Sequence, residues 1–592
     1  MVNEVEGLIT DKEMWRFRSV YEKLIATNNF IELLNKGKGE IYAKRLTTLI
    51  EGIDLSDSRY DFEDWALCTL LLIAGFKRIK KRAANREVSD DYAFDAAWAP
   101  IRIYMKDLLK EFIGNNLYIS EKCINSMSDE LFMELSNILQ YTLHDSFVST
   151  MPFGYRLCLH ATKEGYDDKN IQSYYYDKFI QNIDFQFLLD YLEQYPICLY
   201  LIGKTVSGWF IRQKELCDRV YISKGKLEYF LELESIVQIQ NVLPIKGDLH
   251  NNGRRTYILE LKSNKGEYSK VCYKPRNVKT DKFLELLASR LDKLYSAGGL
   301  KAAKCLDCVN YGFTEYIYGV ASSKPESTDK HIKLGRLLYY LWILGANDCG
   351  PDNIIFDGND YILIDCESLF QGSWILSNNA LNPCDLTELY YNSVIRTSMI
   401  PNWSTHGEKD NLDDDKSFIG NLLGAKTKRT EYWVNINTDK MIENKNKSVI
   451  VDNSREESDL FTKEDIDNFI AFVIEGFRLA SRSKDYFYQV FNDTLKGGFQ
   501  DIDTSFIFRD TSIYKKLQRK LFSPECCKNA SIFIATLFSL KNVMNLYKDS
   551  PSLHWITGQE IRQIFSLDIP SFNCNIVTSK LQVSDEVLDE FE

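Results

Sequence analysis

The apolar positions of the first 195 residues recur at three- and four-residue spacing, with short polar stretches between the periodic segments. This period predicts amphipathic helices, because residues three and four apart share one face of a helix. No cluster of titratable residues stands out there. The sequence therefore predicts a mainly helical N-terminal or capping region over residues 1–195, with examples at Asp61–Lys81, Pro100–Phe112 and Asp129–Tyr141.

The middle of the chain has the pattern of strands combined with a helix. Arg255–Leu261 and Tyr268–Tyr273 predict two strands, joined by the polar turn Ser263–Gly266. Lys282–Tyr295 predicts an amphipathic helix, and Phe313–Tyr318 predicts another short strand. A β-hairpin followed by a helix and a strand is typical of the small lobe of a kinase.

The later part of the chain returns to helices after a second, shorter hairpin. Ile354–Phe356 and Tyr361–Ile364 predict two strands around a turn, whereas Lys426–Arg455 is polar with little periodicity and indicates a surface excursion or mobile loop. We assign residues 196–330 to a kinase-like N-lobe and residues 331–592 to a kinase-like C-lobe. The fold class is then α+β, with large helical elaborations. The periodic segments of the C-lobe are His331–Leu344, Glu464–Ser481 and Ile532–Leu546.

Composition narrows the class of protein. A net charge of -12 disfavours a nucleic-acid partner, since the phosphate backbone selects for clustered Lys and Arg. The N-terminus lacks the basic-then-apolar layout of a signal peptide, and the most apolar stretches are too short for an integral membrane segment. The 14 cysteines are scattered, as expected for reduced thiols, and neither Cys305–Cys308 nor Cys526–Cys527 has a second half with zinc-site spacing. These features predict a cytoplasmic protein.

The segment from Asp348 to Asn353, followed by a hairpin and then Asp365, has the order that phosphoryl transfer requires. Kinases place an Asp and an Asn five residues apart on one loop and a second Asp after a short hairpin. Asp348 would orient or deprotonate the attacking hydroxyl, and Asn353 and Asp365 would hold Mg²⁺ through oxygen ligands. The alternative is that these residues only cap turns.

Upstream, Lys274 ends the predicted hairpin, where a strand lysine commonly binds nucleotide phosphates. Asp248 is a candidate to pair with this lysine, and Gly253 permits a tight turn near the phosphates. The alternative for Lys274 is a solvated lysine at a strand end. Gly203-Lys-Thr205 resembles the end of a phosphate-binding loop, but Cys198 stands where the leading glycine belongs.

Seven segments, taken together, resemble the N-terminal dehydratase domain of class II (LanM-type) lanthipeptide synthetases, in the order of that family. A weaker match is YPICLYLIGKTVSGWF (195–210). The seven are GDLHNNGR (247–254), YKPR (273–276), the loop 348–353, IDCESLFQ (364–371), SVIRTSMIPNW (393–403), RDTSIY (509–514) and DIPSF (568–572).

The resemblance implies a lipid-kinase-like core that phosphorylates Ser and Thr of a precursor peptide with ATP and Mg²⁺, then eliminates the phosphate to leave dehydroalanine or dehydrobutyrine. It implies elimination or activation helices in the C-lobe. Thr511 matches the family's elimination threonine, and Arg509 is positioned to bind the leaving phosphate. Kinase roles are implied for Asp248, His250, Lys274, Arg276, Asp348, Asn353, Asp365 and Glu367.

Three departures from the family qualify this expectation. The family loop carries a histidine where this chain has Gly350, and an elimination arginine where this chain has Ser505. Arg509, Arg396 and Arg276 are candidates to replace that arginine. The sequence also lacks the zinc-dependent cyclase domain that follows in the family, so we expect a stand-alone dehydratase with a separate cyclase or reductase as partner.

The sequence thus predicts an enzyme of lanthipeptide biosynthesis, with three alternatives. A peptide kinase without elimination is motivated by Ser505, and a non-catalytic kinase-fold binding protein is motivated by Gly350. A lipid kinase is compatible with the core motifs alone, but the RDTSIY and DIPSF motifs favour peptide modification.

Overall fold

A computed structural model describes most of the chain, and the described ranges contain both helices and strands. Both classes of element occur, as the α+β pattern predicts, while the two-lobed kinase-like organisation stays a prediction. The described residues are 9–27, 63–78, 92–114, 118–156, 173–245, 247–294, 299–320, 328–371, 392–400, 417–422, 427–430, 433–443, 449–452, 462–499, 502–544, 551–576, 581–583 and 586–588.

The N-terminal part is helical, as its apolar period predicts. Its helices are α1 (Asp11–Ile25), α2 (Asp64–Arg78), α3 (Arg102–Ile113), α4 (Glu121–Thr150), α5 (Tyr174–Gln181), α6 (Phe185–Gln194), α7 (Pro196–Ile222) and α8 (Lys224–Leu231), with a 3₁₀ turn at Asp95–Ile101. Most side chains of α7 are buried, and this helix packs against α2 and α4. At Gly203 an added Cβ would lie 2.1 Å from the carbonyl oxygen of Trp65, so Gly203 is needed for close helix packing.

A six-stranded sheet follows, in the order β1-β2-β3-β4-β6-β5. Its strands are β1 (Tyr118–Ile119), β2 (Ile236–Pro244), β3 (Tyr257–Ser263), β4 (Tyr268–Lys274), β5 (Cys305–Asp307) and β6 (Gly312–Glu315). β1 and β2 are parallel, and the other neighbours are antiparallel. The predicted hairpin is confirmed as β3 and β4, with Tyr257 opposite Tyr273. Alternate residues of β3 are buried, which holds this sheet against the N-terminal helices.

A second apolar cluster lies beyond the sheet and is built mainly from helices. Its elements are α9 (Lys279–Leu294), α10 (Thr328–Ile343), β7 (Ile354–Phe356), β8 (Tyr361–Leu363), α11 (Phe418–Leu422), α12 (Lys463–Arg482) and α13 (Lys484–Lys496), with a 3₁₀ turn at Val394–Thr397. The predicted helices and the β7–β8 hairpin of this region are confirmed. Gly335 of α10 and Gly476 of α12 each face the other helix's backbone, where an added Cβ would lie 1.9 or 2.0 Å from a carbonyl oxygen.

The C-terminal part is less purely helical than its sequence predicts. Its helices are α14 (Thr511–Leu521), α15 (Pro524–Lys528), α16 (Ala530–Phe538) and α17 (Pro551–Phe565), and its strands are β13 (Asp503–Phe506), β14 (Phe572–Asn575), β15 (Leu581–Val583) and β16 (Glu586–Leu588). The four strands form an antiparallel sheet. The predicted helix Ile532–Leu546 is α16 followed by a 3₁₀ turn at Ser539–Met544, with its last residues outside the described ranges. Helices α14–α17 pack against the N-terminal helices in one apolar cluster.

The prediction that Lys426–Arg455 is a surface excursion is wrong for its central part. This segment contains β9 (Thr427–Thr430), β10 (Trp433–Val434), β11 (Ile442–Glu443) and β12 (Val449–Asp452). Trp433 and Met441 are buried, and the Trp433 ring lies 4.9 Å from that of His144. Asp439 accepts a 2.7 Å bond from the amide of Tyr176. A few buried anchors therefore dock a polar segment onto the N-terminal helices.

Helices that combine the length and the apolarity needed to cross a bilayer are absent from the described ranges. β4 belongs to the first of the two larger apolar clusters and the β7–β8 hairpin to the second. They are joined where Lys274, at the end of β4, donates to the carbonyl oxygen of Ile364, which follows β8. This junction carries the residues singled out from the sequence.

Candidate active site

Lys274, the last residue of β4, reaches across the junction between the two apolar clusters. Its Nζ donates to Asp281 Oδ1 at 2.9 Å, to the carbonyl oxygen of Ile364 at 2.8 Å and to Asp365 Oδ1 at 3.2 Å. The side chain is buried. Burial acts to lower the pKa of Lys274, but attraction to Asp281 and Asp365 outweighs it and raises the pKa above the usual value. The lysine is therefore a fixed, buried positive charge.

Arg276 adds a second positive charge two residues later. Its Nη1 lies 2.8 Å from Asp281 Oδ2, its Nη2 lies 2.6 Å from Asp365 Oδ1, and its Nε lies 2.9 Å from Glu367 Oε2. Arg276 and Lys274 thus share two carboxylates. The predicted sites Lys274, Arg276, Asp365 and Glu367 are brought together, and we call them, with Asp281, the junction cluster.

The sequence prediction that Asp248 pairs with Lys274 is wrong. Asp248 Oδ1 instead lies 2.9 Å from Lys515 Nζ of α14. Asp281, which the sequence analysis missed, occupies the place predicted for Asp248 and is buried in the first turn of α9. The sequence did contain a signal for Asp281. An acid in the first turn of a helix is stabilised by the helix dipole, and the first turn of α9 follows β4 closely in the chain.

The β7–β8 hairpin places the other predicted residues beside this cluster. Asn353 precedes β7 and Asp365 follows β8, and the amide of Ile364 donates to the carbonyl oxygen of Asn353 at 3.0 Å. Asn353 Nδ2 donates to the carbonyl oxygen of Asp348 at 2.7 Å. Asp348 has a φ of 57°, a left-handed conformation that is uncommon for residues other than glycine and that clusters at functional sites.

The electrostatics of Asp348 and Asp365 differ. Partial burial raises the pKa of Asp348 to about 6, and repulsion from Asp365, Glu367 and Asp352 adds to it. Burial also acts to raise the pKa of Asp365, but Lys274 and Arg276 outweigh it and hold this pKa well below the usual value. The two acids of this site therefore differ in pKa. Asp348 is suited to exchange a proton near neutral pH, whereas Asp365 stays ionised.

The loop Gly247–Arg254 lies next to the junction cluster and is held by buried charges. Asn251, Asn252 and Gly253 all have positive φ, and Asp568 accepts 2.7 Å bonds from the amides of Asn252 and Gly253. Asp568 opens the DIPSF segment, which is thereby linked to this loop, and its role was missed from the sequence. Nδ1 of predicted residue His250 donates to the carbonyl oxygen of Ile569 at 2.7 Å. Burial raises the pKa of nearby Glu367, repulsion from Asp365 adds to the rise, and Arg276 and His250 act in the opposite direction.

No cluster of titratable residues stands out in the sequence of the N-terminal region, but the structure shows a buried cluster of charged residues next to the loop Gly247–Arg254. Glu130 and Glu134 of α4 bind Arg212 of α7, with Glu134 Oε1 at 2.9 Å from Nη2. Arg212 Nη1 donates to the carbonyl oxygen of Gly253 at 2.8 Å. The two glutamates are separated from Arg212 by about 80 residues, so helical periodicity gave no signal of their pairing.

The structure does not place Arg509 as a phosphate ligand. Its Nε and Nη2 donate to the two carboxylate oxygens of Glu560 at 2.8 and 3.0 Å, and both side chains are buried. Tyr514 donates to the same carboxylate at 2.5 Å. Thr511, the first residue of α14, is partly exposed and follows the helix cap Asp510.

Of the three arginines considered as replacements at position 505, Arg276 lies in the junction cluster. The amide of Ser505 donates to the carbonyl oxygen of Glu367 at 2.7 Å, which puts position 505 next to the Arg276–Glu367 pair. Arg396 donates instead to the carbonyl oxygens of Gln371 and Trp342 at 3.0 and 3.3 Å, the second at the end of α10. Arg396 therefore has a structural role in this conformation.

Asn353 and Asp365 fit a Mg²⁺ ion in their donor chemistry. A carboxylate and an amide oxygen are hard ligands, and Mg²⁺ completes its shell with water and phosphate oxygens rather than with a full protein cage. Asn353 directs its Nδ2 to Asp348, which leaves its oxygen as the remaining donor to a metal. Groups of three or more His, Cys, Asp or Glu arranged to hold a metal are absent from the part of the chain that the structure describes.

Comparison with known proteins places the chain in a family whose matched region contains this site. A family model described as "Domain of unknown function (DUF4135)" matches residues 195–575, which include every site residue discussed above except Glu130 and Glu134. The chain is also 24% identical over 369 residues to the "Lacticin 481/lactococcin biosynthesis protein LcnDR2" of Lactococcus lactis subsp. lactis. That match covers 58% of this chain and 37% of the relative, so the chain spans well under two thirds of the relative's length.

Proposed function

This chain belongs to the family described as a domain of unknown function, DUF4135, and from that premise we propose that it phosphorylates and then dehydrates Ser and Thr residues of a ribosomally made precursor peptide. Its similarity to a lacticin biosynthesis protein supports a role in lanthipeptide modification. One observation carries the proposal, namely that Lys274, Arg276, Asp348, Asn353 and Asp365 converge at one junction although they are far apart in the chain.

Phosphate transfer would use these residues in separate roles. Asp348 would accept the proton of the substrate hydroxyl as its oxygen attacks the γ-phosphorus of ATP and the bond to ADP breaks. Lys274 and Arg276 would stabilise negative charge on the phosphates. Asn353 and Asp365 would hold Mg²⁺, which when bound neutralises charge on the triphosphate.

Elimination would follow at the same site. A base removes the α-proton of the phosphorylated residue, its electrons form the new carbon–carbon double bond, and phosphate departs with the Cβ–O bond pair. Arg276 is the cation placed beside position 505, and its positive charge would stabilise the departing phosphate while its nitrogens stay bonded to Asp281, Asp365 and Glu367. Thr511 is carried over from the family resemblance as the second elimination residue.

Incubation of the chain with ATP, Mg²⁺ and a precursor peptide rich in Ser and Thr tests the proposal. We expect a phosphate mass gain that resolves into loss of water from Ser or Thr. A stable phosphopeptide would replace the dehydratase proposal by that of a peptide kinase, the candidate that Ser505 favours. Nucleotide binding without Mg²⁺ dependence or turnover would identify a non-catalytic binding protein.

The pKa of Asp348 predicts the pH dependence of phosphate transfer. Because this carboxylate must be ionised to accept a proton, kcat/KM should fall about tenfold per pH unit below its pKa of about 6 and level off above it. Initial rates of phosphopeptide formation between pH 4.5 and 8 would measure this limb. Asp348→Asn should abolish both the rate and the limb, whereas a rate that does not vary with pH would contradict the assignment.

Thr511→Ala tests the second half-reaction by itself. We expect phosphorylated peptide to accumulate and the dehydrated product to form about 10²-fold more slowly, because proton transfer in elimination loses a positioned group. The time course of both species by mass spectrometry is the measurement. Ser512→Ala, which removes the neighbouring exposed hydroxyl of α14, is the matched control and should leave both steps unchanged.

A further inference from the structure

A cavity of about 380 Å³ lies behind the loop that carries Asp248 and His250. It is bounded by α4, α7 and α14, and its wall includes Gly247–Leu249 and Asn252–Arg255 of the loop. None of the residues of the junction cluster lines it. The loop therefore lies between this cavity and the junction cluster. The volume of the cavity is in the range of ligand-binding pockets.

Lys204 of α7 lines this cavity as a charged group without a direct partner. Over the described ranges it makes no hydrogen bond and no ion pair. Asp568 attracts it from a distance, but both carboxylate oxygens of Asp568 already accept the loop amides. Burial lowers the pKa of Lys204, and Asp568 acts in the opposite direction. Lys204 is only partly exposed, and an ammonium group without a counter-charge in such a position is costly, so an anion that reached it would be bound favourably.

The other cations of the cavity wall are already neutralised. Arg254 donates through Nε and Nη2 to Glu215 at 2.9 Å each, and Arg212 and Arg255 pair with the buried glutamates of α4. Much of the remaining wall is apolar, with Ile138, Ile211, Leu249, Phe522, Leu567 and Ile569. The cavity thus matches one negative group with apolar atoms beside it, and does not match a multiply charged phosphate ligand.

We propose that this cavity binds an acidic side chain and an adjacent apolar side chain of the peptide that the junction cluster modifies, with the carboxylate paired to Lys204. The inference rests on the proposed function for the identity of the peptide. The loop that carries His250 favours a peptide as the ligand. Asn252 and Gly253 of this loop line the cavity, whereas His250 lies close enough to Glu367 to affect its charge. A peptide bound in the cavity would therefore lie next to the loop that borders the junction cluster. The site would hold a substrate segment distant from the modified Ser or Thr.

Binding of short capped peptides tests the proposal without catalysis. The probes are fluorescein-labelled Ala-Glu-Leu-Ala-amide and the same peptide with Gln in place of Glu, measured by fluorescence polarisation. We expect about tenfold tighter binding of the Glu peptide, from one charge-assisted bond. Lys204→Met should reduce the Glu peptide to the affinity of the Gln peptide. Equal affinity of the two peptides for the unmodified protein would overturn the proposal.

Filling the cavity provides a second variant with little risk to folding. A Cβ atom at Gly208 meets no atom within 4 Å, so Gly208→Leu enters the cavity, and leucine favours the helix more than glycine does. It should abolish binding of both probes. Gly225→Leu is the matched control, since Gly225 is equally open but lies in α8 away from the cavity. Unchanged binding in Gly208→Leu would contradict the site.

Asp365→Asn separates this inference from the proposed function. The variant should lose phosphate transfer but bind the Glu probe like the unmodified chain, because the junction cluster does not line the cavity. If the unmodified chain binds the probe through Lys204 and transfers no phosphate, the cavity site stands and the proposed activity is wrong. If the chain transfers phosphate and Lys204→Met binds both probes unchanged, the cavity proposal alone is wrong.

Discussion

Lys274→Ala is expected to lower kcat/KM for phosphate transfer by about 10³-fold or more. The substitution removes a buried positive charge that lies within 3.2 Å of Asp365 and directly opposite Asp281. Preorganised charges of this kind are worth about 10²–10³-fold each, and here Asp365 and Asp281 would also lose the cation that holds them in place. Phosphopeptide formation from ATP, with mass-spectrometric detection, measures the effect.

Lys262→Ala is the control for a lysine on the same sheet. Lys262 lies on β3, where its Nζ is 5.6 Å from the centre of the exposed Tyr268 ring and away from the junction cluster. Its removal should leave the rate within about twofold, since surface substitutions of this type have small effects. A folded Lys274→Ala variant with an intact transfer rate would refute the assignment of the site.

Glu560→Gln is expected to destabilise the protein by about 3–5 kcal/mol, because it leaves the Arg509 guanidinium buried without a counter-charge. The Glu560 side chain is fully buried and receives two bonds from Arg509 and one from Tyr514. This contact joins the turn before α14 to α17. The shift of the urea unfolding midpoint at constant m value measures the change.

The exposed Glu525→Gln supplies the matched control and should change the free energy of unfolding by less than about 0.5 kcal/mol. Replacing both partners, as in Arg509→Met with Glu560→Gln, should recover part of the loss because no buried charge remains unpaired. A stable Glu560→Gln variant that selectively lost elimination would instead show that Arg509 acts on the leaving phosphate.

The local elements of the site followed from sequence because their signals are local. The alternation of apolar residues in β3 and the glycine-ended turn after it specify a hairpin within a few residues. The short apolar runs on either side of Asp357–Asp360 did the same for β7 and β8. By contrast, four-residue strands such as β13 and β14 carry too few positions for a period to be recognised, and they pair across a long stretch of chain.

Side-chain partners were the least predictable feature of the site. Asp248 lies shortly before the β3–β4 hairpin and Asp281 lies shortly after it, yet only Asp281 forms an ion pair with Lys274. The difference depends on the direction in which α9 starts and on Lys515, which lies 267 residues after Asp248 and neutralises it. The partner of Arg509 was equally unpredictable. Its guanidinium forms an ion pair with Glu560 on α17, which the RDTSIY motif does not contain.

The amino-acid sequence by itself determined the hairpins, most helices and the set of acids, amide and lysine that suits phosphate chemistry, because periodicity, turns and side-chain chemistry act over a few residues. The tertiary structure decided which charges meet. Buried ions must find partners wherever packing brings opposite charges together, and packing joins residues that are hundreds of positions apart. It also decided which positive charges are neutralised within the fold and which, such as Lys204, stay available to a ligand.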